Sequence, residues 1–308
     1  MQEEIARSLI YAGEEDLDFP AESGLWRRMG SSLLRDRAAL FGAFVVLAFA
    51  LVAVFAPLIA PHSPDTQYLD GLSLTGSPVP PNHKFLLGTD DLGRDLLSRL
   101  LYGARVSLVV GILANGLAMI IGVAVGAVAA YVGGWTATIL MRITDIMMAF
   151  PVLLFAIALI AITSPSLTNI IIVIAILYWT TTARIIYGMV LSLKEREFVD
   201  AARAIGASGP RILGLYILPH LTSVIIVYTT LGVATTVLVE ASLSFVGIGV
   251  QPPTPSWGNM INEAQGYYRS DPWMMLFPGI ALVITVLGFN LLGDWLRDTL
   301  DPVQNKLG

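Results

Sequence analysis

The 308-residue chain contains no cysteine, which excludes disulfides and thiol chemistry without fixing a compartment. Its histidines, His62, His83 and His220, lie far apart and form no metal-ligand spacing. No GxxxxGK(S/T) stretch occurs, so the standard phosphate-binding loop is missing and any ATP must be handled by a partner. Neither an HExxH motif nor a plausible nucleophile–base pair is present, which argues against an intramembrane enzyme. Charge is scarce, at 13% of residues, against about 25% in a typical soluble protein. The net charge of −5 also excludes the basic surface that nucleic-acid binding needs. The N-terminus lacks the basic segment that opens a secretory signal.

What the chain has in quantity is apolar sequence, 55% of it. Apolar runs at about 38–60, 105–131, 137–161, 168–190, 222–246 and 276–293 are each long enough to approach or exceed a bilayer's width. The reading is an all-α polytopic membrane protein with six transmembrane helices. Arg27, Arg28, Arg35 and Arg37 precede the first run and place the N-terminus in the cytosol. Residues 1–37 then form a cytosolic tail, acidic at its start, and residues 294–308 a second one. Pro151 and Pro278 are expected to kink the third and sixth spans. In the second span, Ala114, Ala118, Gly122, Gly126 and Ala130 form a small-residue stripe suited to close helix packing.

The loop at 61–104 falls outside the membrane. Its first half is proline-rich and irregular. In its second half Thr89 is placed to cap a helix carrying Asp90 and Asp91 in its first turn. Leu92, Leu96, Leu100 and Leu101 share one face, the pattern of an amphipathic helix on the outer surface. The aspartates raise the question of calcium, but no EF-hand pattern is present and capping accounts for them.

The most informative polar stretch is 195–219, EREFVDAARAIGASGPRILGLYILP, between two spans and on the cytosolic side. Phe198, Ala201, Ala202 and Ile205 fall on one face of a short helix. Gly206 suits a helix end that needs positive φ. Ser208 or Gly209 is an N-cap for a second helix, with Pro210 at its first position. That helix turns Ile212, Leu213 and Tyr216 inward. A DNA-binding helix-turn-helix shares the turn glycine, but it needs a basic domain rather than flanking spans.

This stretch resembles the cytoplasmic signature of binding-protein-dependent ABC importer permeases: Glu-Ala-Ala, three residues, Gly, nine residues, Ile, any residue, Leu-Pro. Asp200 stands for the Glu and Tyr216 for the Ile; Ala201, Ala202, Gly206, Leu218 and Pro219 match. GTDDLGRDLLSRLLYGARVSL (88–108), MRITDIMMAFP (141–151) and EASLSFVGIGVQPPTPSWG (240–258) resemble the C-type permeases of dipeptide and oligopeptide importers. Nickel, glutathione and some oligosaccharide importers share these stretches. The resemblance spans about residues 35–303. It implies a type I ABC importer permease fold in the inner membrane. The loop would be a coupling helix seated in a groove of an ATPase, with Glu197, Asp200, Ala201, Ala202, Arg203, Gly206, Ala207, Leu218 and Pro219 as its coupling residues. Implied partners are a second homologous permease, two ATP-binding cassette subunits and an extracytoplasmic solute-binding protein. ATP and magnesium would belong to the ATPases, with no cofactor on this chain. A secondary transporter is the alternative of a different class, but no internal repeat is visible.

Intramembrane charges complete the reading. Arg142 and Asp145 are three apart near the cytosolic end of the third span and can pair along one helix. Glu240, near the outer end of the fifth span, must face protein or water. An interhelical hydrogen bond is its first reading and a role in guiding cargo its second. Asp145 and Glu240 are the candidates for the translocation path or a gate.

Overall fold

The computed structural model describes residue 30 and residues 32–300. The expected tails up to residue 29 and beyond residue 300, with Arg27, Arg28 and Lys306, lie outside the described residues. Helix α1, Arg37–Ile59, starts where Asp36 accepts the Ala38 and Ala39 N–H groups at 2.8 and 3.1 Å. Its large side chains, Phe44 and Leu58 among them, stay exposed, as an apolar helix facing lipid requires.

Helix α2, Leu96–Val132, has 37 residues, about 55 Å at 1.5 Å per residue. That exceeds the bilayer core of roughly 30 Å, so its first turns stand outside. This corrects the expectation of a separate surface helix capped by Thr89. The cap is Asp95, which accepts the Ser98 N–H at 2.9 Å. Thr89 instead donates its hydroxyl to the Gly71 carbonyl and accepts the Val79 N–H, pinning the preceding loop. Residues 88–95 form a tight turn in which Asp90 accepts the Leu92 and Arg94 N–H groups. The short polar side chains compete with helix here and win the turn.

The third predicted span is two helices, α3 (Gly134–Ala149) and α4 (Val152–Thr163), set at 94°. The cause is local. Pro151 offers no N–H, and Phe150 before it is held extended at φ −85°, ψ 138°. Helix α5, Leu167–Leu193, follows, capped by Ser166. Short helix α6 spans Glu197–Ala204. From Gly209 the chain winds without a break through a wide π-helical turn at Ile212–Ile217 and a 3₁₀ turn at Leu218–Leu221 into α7, Thr222–Phe245. Helix α8, Trp257–Glu263, and helix α9, Trp273–Leu300, complete the described chain. Pro278 sits in the second turn of α9, which continues through it.

The bundle is organised on α2 and α5, whose contact is the most extensive of any pair. The small-residue stripe makes that contact. A Cβ on Gly126 would lie 2.3 Å from the Ala183 carbonyl oxygen, and one on Gly122 2.6 Å from that of Trp179. Polar side chains then tie α7 to α2. Thr236 donates to the Gly111 carbonyl at 2.8 Å and the Asn115 amide donates to the Thr229 carbonyl at 2.6 Å. Such bonds are valuable where water is absent. Two polar ends remain: a cap, built from 61–95 with 246–272, and a knob at 194–221.

Candidate functional site

The knob begins with α6. Gly206 has φ +80°, in the region that favours glycine. The Gly206 N–H reaches the Arg203 carbonyl and the Ala207 N–H reaches the Ala202 carbonyl, each at 3.0 Å. These two bonds are the Schellman arrangement, which stops the helix and reverses the chain. Ser208 precedes the next turn but makes no side-chain cap bond, and Gly209 and Pro210 occupy its first two positions. Gly209 lets the turn approach the Tyr131 ring, 3.1 Å from where a Cβ would stand.

Which face points inward differs from expectation. Val199 and Ala202 are buried with Ile212, Ile217 and Leu221 against Ala127 and Ala130 of α2 and Ile186 and Val190 of α5. Leu213 and Tyr216 pack at the edge of this cluster, as expected. Ala201 is exposed and Ile205 is 78% exposed. The shift of one residue follows from geometry. The helix is eight residues long, and its inner stripe is set by the two positions that fit under α2 and α5, not by all four apolar ones. Ala202 therefore seats the knob and is not available to a partner, whereas Ala201, Glu197, Asp200 and Arg203 are. Asp200 and Arg203 pair at 2.8 Å on the surface. Ala207 and Leu218 are partly buried at the seat, and Pro219 is exposed. His220 stacks on Phe198, ring centres 4.7 Å apart, linking the start of α6 to the start of α7.

The two membrane candidates part company. Glu240 is fully buried; Ser107 of α2 donates to it at 3.2 Å and Ser244 at 2.7 Å. The Trp257 N–H donates to Ser107 in turn. This matches the interhelical hydrogen bond and leaves no surface by which cargo meets the carboxylate. Asp145 pairs with Arg184 of α5, not with Arg142 on its own helix. The reason is that α3 packs on α5 and turns Asp145 toward it, and a cross-helix guanidinium reaches where an i−3 one does not. Both partners stay about half exposed, 52% and 43% for Arg184 and Asp145.

The cap holds an ionic cluster that sequence reasoning missed. Arg99 is fully buried. Its guanidinium meets Glu263 at 3.0 Å and Asp90 at 3.1 Å and donates to the Pro64 and Pro253 carbonyls. Arg94 pairs with Asp90, with Glu263 at 3.2 Å and with Asp91 at 3.7 Å. Burial pushes the Glu263 and Asp91 carboxyls above their ordinary range, against the pull of the arginines. Asp90, Asp91 and Glu263 come close enough together to share a cation, but Arg94 and Arg99 already supply the positive charge. The signal was present as a surplus of opposite charges in the 61–104 loop, expected on the outer side, where arginines are disfavoured.

Comparison with known proteins fits these features. Residues 122–306 match the model of the binding-protein-dependent transport system inner membrane component, and residues 24–78 that of the N-terminal TM domain of oligopeptide transport permease C. The dipeptide transport system permease protein of Alkalihalophilus pseudofirmus is 43% identical over 90% of each chain. A glutathione transport system permease protein of Escherichia coli is 42% identical over 90% of this chain and 89% of its own. The di/tripeptide transport system permease protein of Pseudomonas aeruginosa is 40% identical over 88% of this chain and 90% of its own. In fold, an inward-facing MetNI methionine ABC transporter chain matches with TM-score 0.57 at 21% identity, over 67% of this chain and 98% of that one. The match extends over the bundle and the knob together, and the chain belongs to the family of binding-protein-dependent transport system inner membrane components, with a type I ABC importer permease fold.

Proposed function

We propose that this chain is one permease subunit of an ATP-driven importer of dipeptides or oligopeptides. The single observation that carries the mechanism is the knob: a rigid, Schellman-closed surface element seated on the ends of α2, α5 and α7. An ATPase that grips the outer face of α6, through Glu197, Asp200, Ala201 and Arg203, moves the helices beneath it. Gly206, Ala207, Leu218 and Pro219 hold the knob in the orientation that transmits this motion. Lys194, Arg196, Arg203 and Arg211 support a cytosolic place for it, and hence for both termini. A second homologous permease completes the pathway, two ATPase subunits bind ATP and magnesium, and a solute-binding protein docks on the cap. The grip must differ between the two nucleotide states, since a contact equal in both shifts nothing. Peptide cargo is supported by the dipeptide and di/tripeptide names of the relatives, and the glutathione relative supports a modified tripeptide as the second reading.

The test is uptake of labelled peptide into vesicles holding the assembled importer, with ATP inside or outside the ATPase-accessible face. ATP-dependent uptake is expected, and Gly206→Val should abolish it while the membrane-spanning helices still insert, because a β-branched residue at φ +80° is strained by about 1–3 kcal/mol. Uptake that is independent of ATP would assign the chain to secondary transport.

A further inference from the structure

Charged side chains halfway through a membrane do not face lipid without a large penalty. Asp145 lies eleven residues into α3 from the knob end, and Arg184 nine residues from the knob end of α5, about 16 and 14 Å along their helices. A bilayer core spans roughly 30 Å, so both residues fall within the length of apolar helix that crosses it, toward the knob: Ile186, two residues from Arg184, packs in the knob's seat. It is nevertheless about half exposed. The stripe of α5 on which Arg184 lies continues with exposed Thr181, Gly188 and Ser192, which are small or polar and unlike a lipid-facing surface. An open cavity of about 430 Å³ runs from the Gly133–Gly134 turn to Asp145, with Arg142 and Lys194 also on its wall, and Arg184 adjoins it through its pair with Asp145. Five residues beyond Asp145 the chain breaks at Phe150 and turns through 94°. Interrupted helices beside intramembrane charges recur at binding sites in secondary transporters, and the same local pattern is met here.

We infer that Asp145 and Arg184 form a contact point for zwitterionic cargo inside the pathway, Asp145 receiving the ammonium group and Arg184 the carboxylate. This rests on the peptide reading above. Every unmodified dipeptide carries one group of each sign within about 7 Å, so the pair meets what dipeptides share and ignores their side chains. In the absence of cargo the two residues satisfy each other, and cargo exchanges one ion pair for two. Arg184, a planar donor fork, suits a carboxylate.

The experiment uses the complete importer in vesicles, with a dipeptide containing photo-leucine as the probe. The comparison variant is the neutral pair, Asp145→Asn with Arg184→Gln, which removes both charges without stranding either. In the wild type, uptake is ATP-dependent and photolabel maps to 142–148 or 181–188. In the neutral pair both uptake and label fall about tenfold or more, the scale of one lost charge-assisted hydrogen bond, while recovery of the assembled complex stays within about twofold. Absence of peptide uptake by the wild type would sink the peptide reading itself. Wild-type uptake with label elsewhere, or with a neutral pair that transports and labels normally, overturns only the contact point. Loss of the complex in the neutral pair assigns Asp145 and Arg184 to subunit packing and overturns it too.

Discussion

The cap and the knob are the two polar ends of an apolar bundle, and they place their charges in opposite directions. In the cap, Arg94, Arg99 and Asp90 are buried and close on one another and on Glu263. In the knob, the Asp200 and Arg203 side chains are 67% and 47% exposed, and the interior is filled by Val199, Ala202, Ile212 and Ile217. A charge sealed inside holds a structure in one arrangement, because removing one partner strands the other. A charge left outside over an apolar seat adds little to folding and remains available for a partner. The cap's charges fix its own arrangement, and the knob's charges are left on the surface.

The strongest way to break this contrast is Arg99→Ala. It leaves Asp90 and Glu263 short of their buried cation, a loss of about 3–5 kcal/mol. Thermal unfolding of the purified chain should fall sharply, with proteolysis first in 61–95 and 257–263. Little change in melting would show that the cluster is not structural.

Adjacent alanines sharpen the comparison within the knob. Ala202 is 2% exposed, so Ala202→Trp overpacks the seat and should cost about 1–3 kcal/mol or more. Ala201 faces outward, so Ala201→Trp should leave melting within about 0.5 kcal/mol yet prevent recovery of the ATPase subunits. Equal effects of the two substitutions would refute the assigned faces of α6.

How far the sequence reveals this follows from the range of each signal. Five of the six long apolar runs and the stripe from Ala114 to Ala130 read correctly, because lipid forces each helix to satisfy its own backbone and each crossing to use small residues; the third run is instead the bent pair α3 and α4. The Gly206 turn was legible because positive φ is a local demand. Three things were not. Thr89 looked like a cap, but Asp95 is the cap and Thr89 ties two loop strands together through Gly71 and Val79. Asp145 had a partner three residues away on its own helix and took one 39 residues away in sequence, across a helix interface. Glu263 carried no motif at all; its role comes from two arginines roughly 165 residues earlier. Each miss is a long-range pairing that local propensity does not encode. The seat of α6 belongs with them, since four apolar residues over two turns do not reveal that Val199, outside the four, is buried beside Ala202.

A third prediction concerns pH at the cap. Glu263 and Asp91 have carboxyls raised by burial. The folded cap therefore binds more protons than the unfolded chain just above the ordinary carboxylate range, so these groups favour folding at low pH. Their contribution is full below the unfolded carboxylate value and is lost as pH rises through the raised folded values. Amide exchange in 88–99 and 257–263 should accordingly quicken with rising pH, after correction for intrinsic chemistry, more in the wild type than in Glu263→Gln. An identical profile in the two proteins would remove Glu263 from the effect.

The smallest expected change in stability is at Arg203, and it separates the two regions most cleanly. Its ion pair with Asp200 spans one turn of α6 and lies in solvent, so the pair contributes about 0–0.5 kcal/mol. A cation in the last turn also favours the helix dipole by a few tenths of a kcal/mol. Neither holds the knob, which is seated by Val199 and Ala202 and closed by the Gly206 turn. Arg203→Ala should melt within about 0.5 kcal/mol of the wild type while ATP-driven uptake drops, if the outer face of α6 is the surface proposed above for the ATPase. Arg99→Ala should do the reverse, losing stability before anything else can be measured. If Arg203→Ala instead unfolds the knob, the charges at both ends of the bundle serve the same purpose, and the outward face of α6 is not a binding surface.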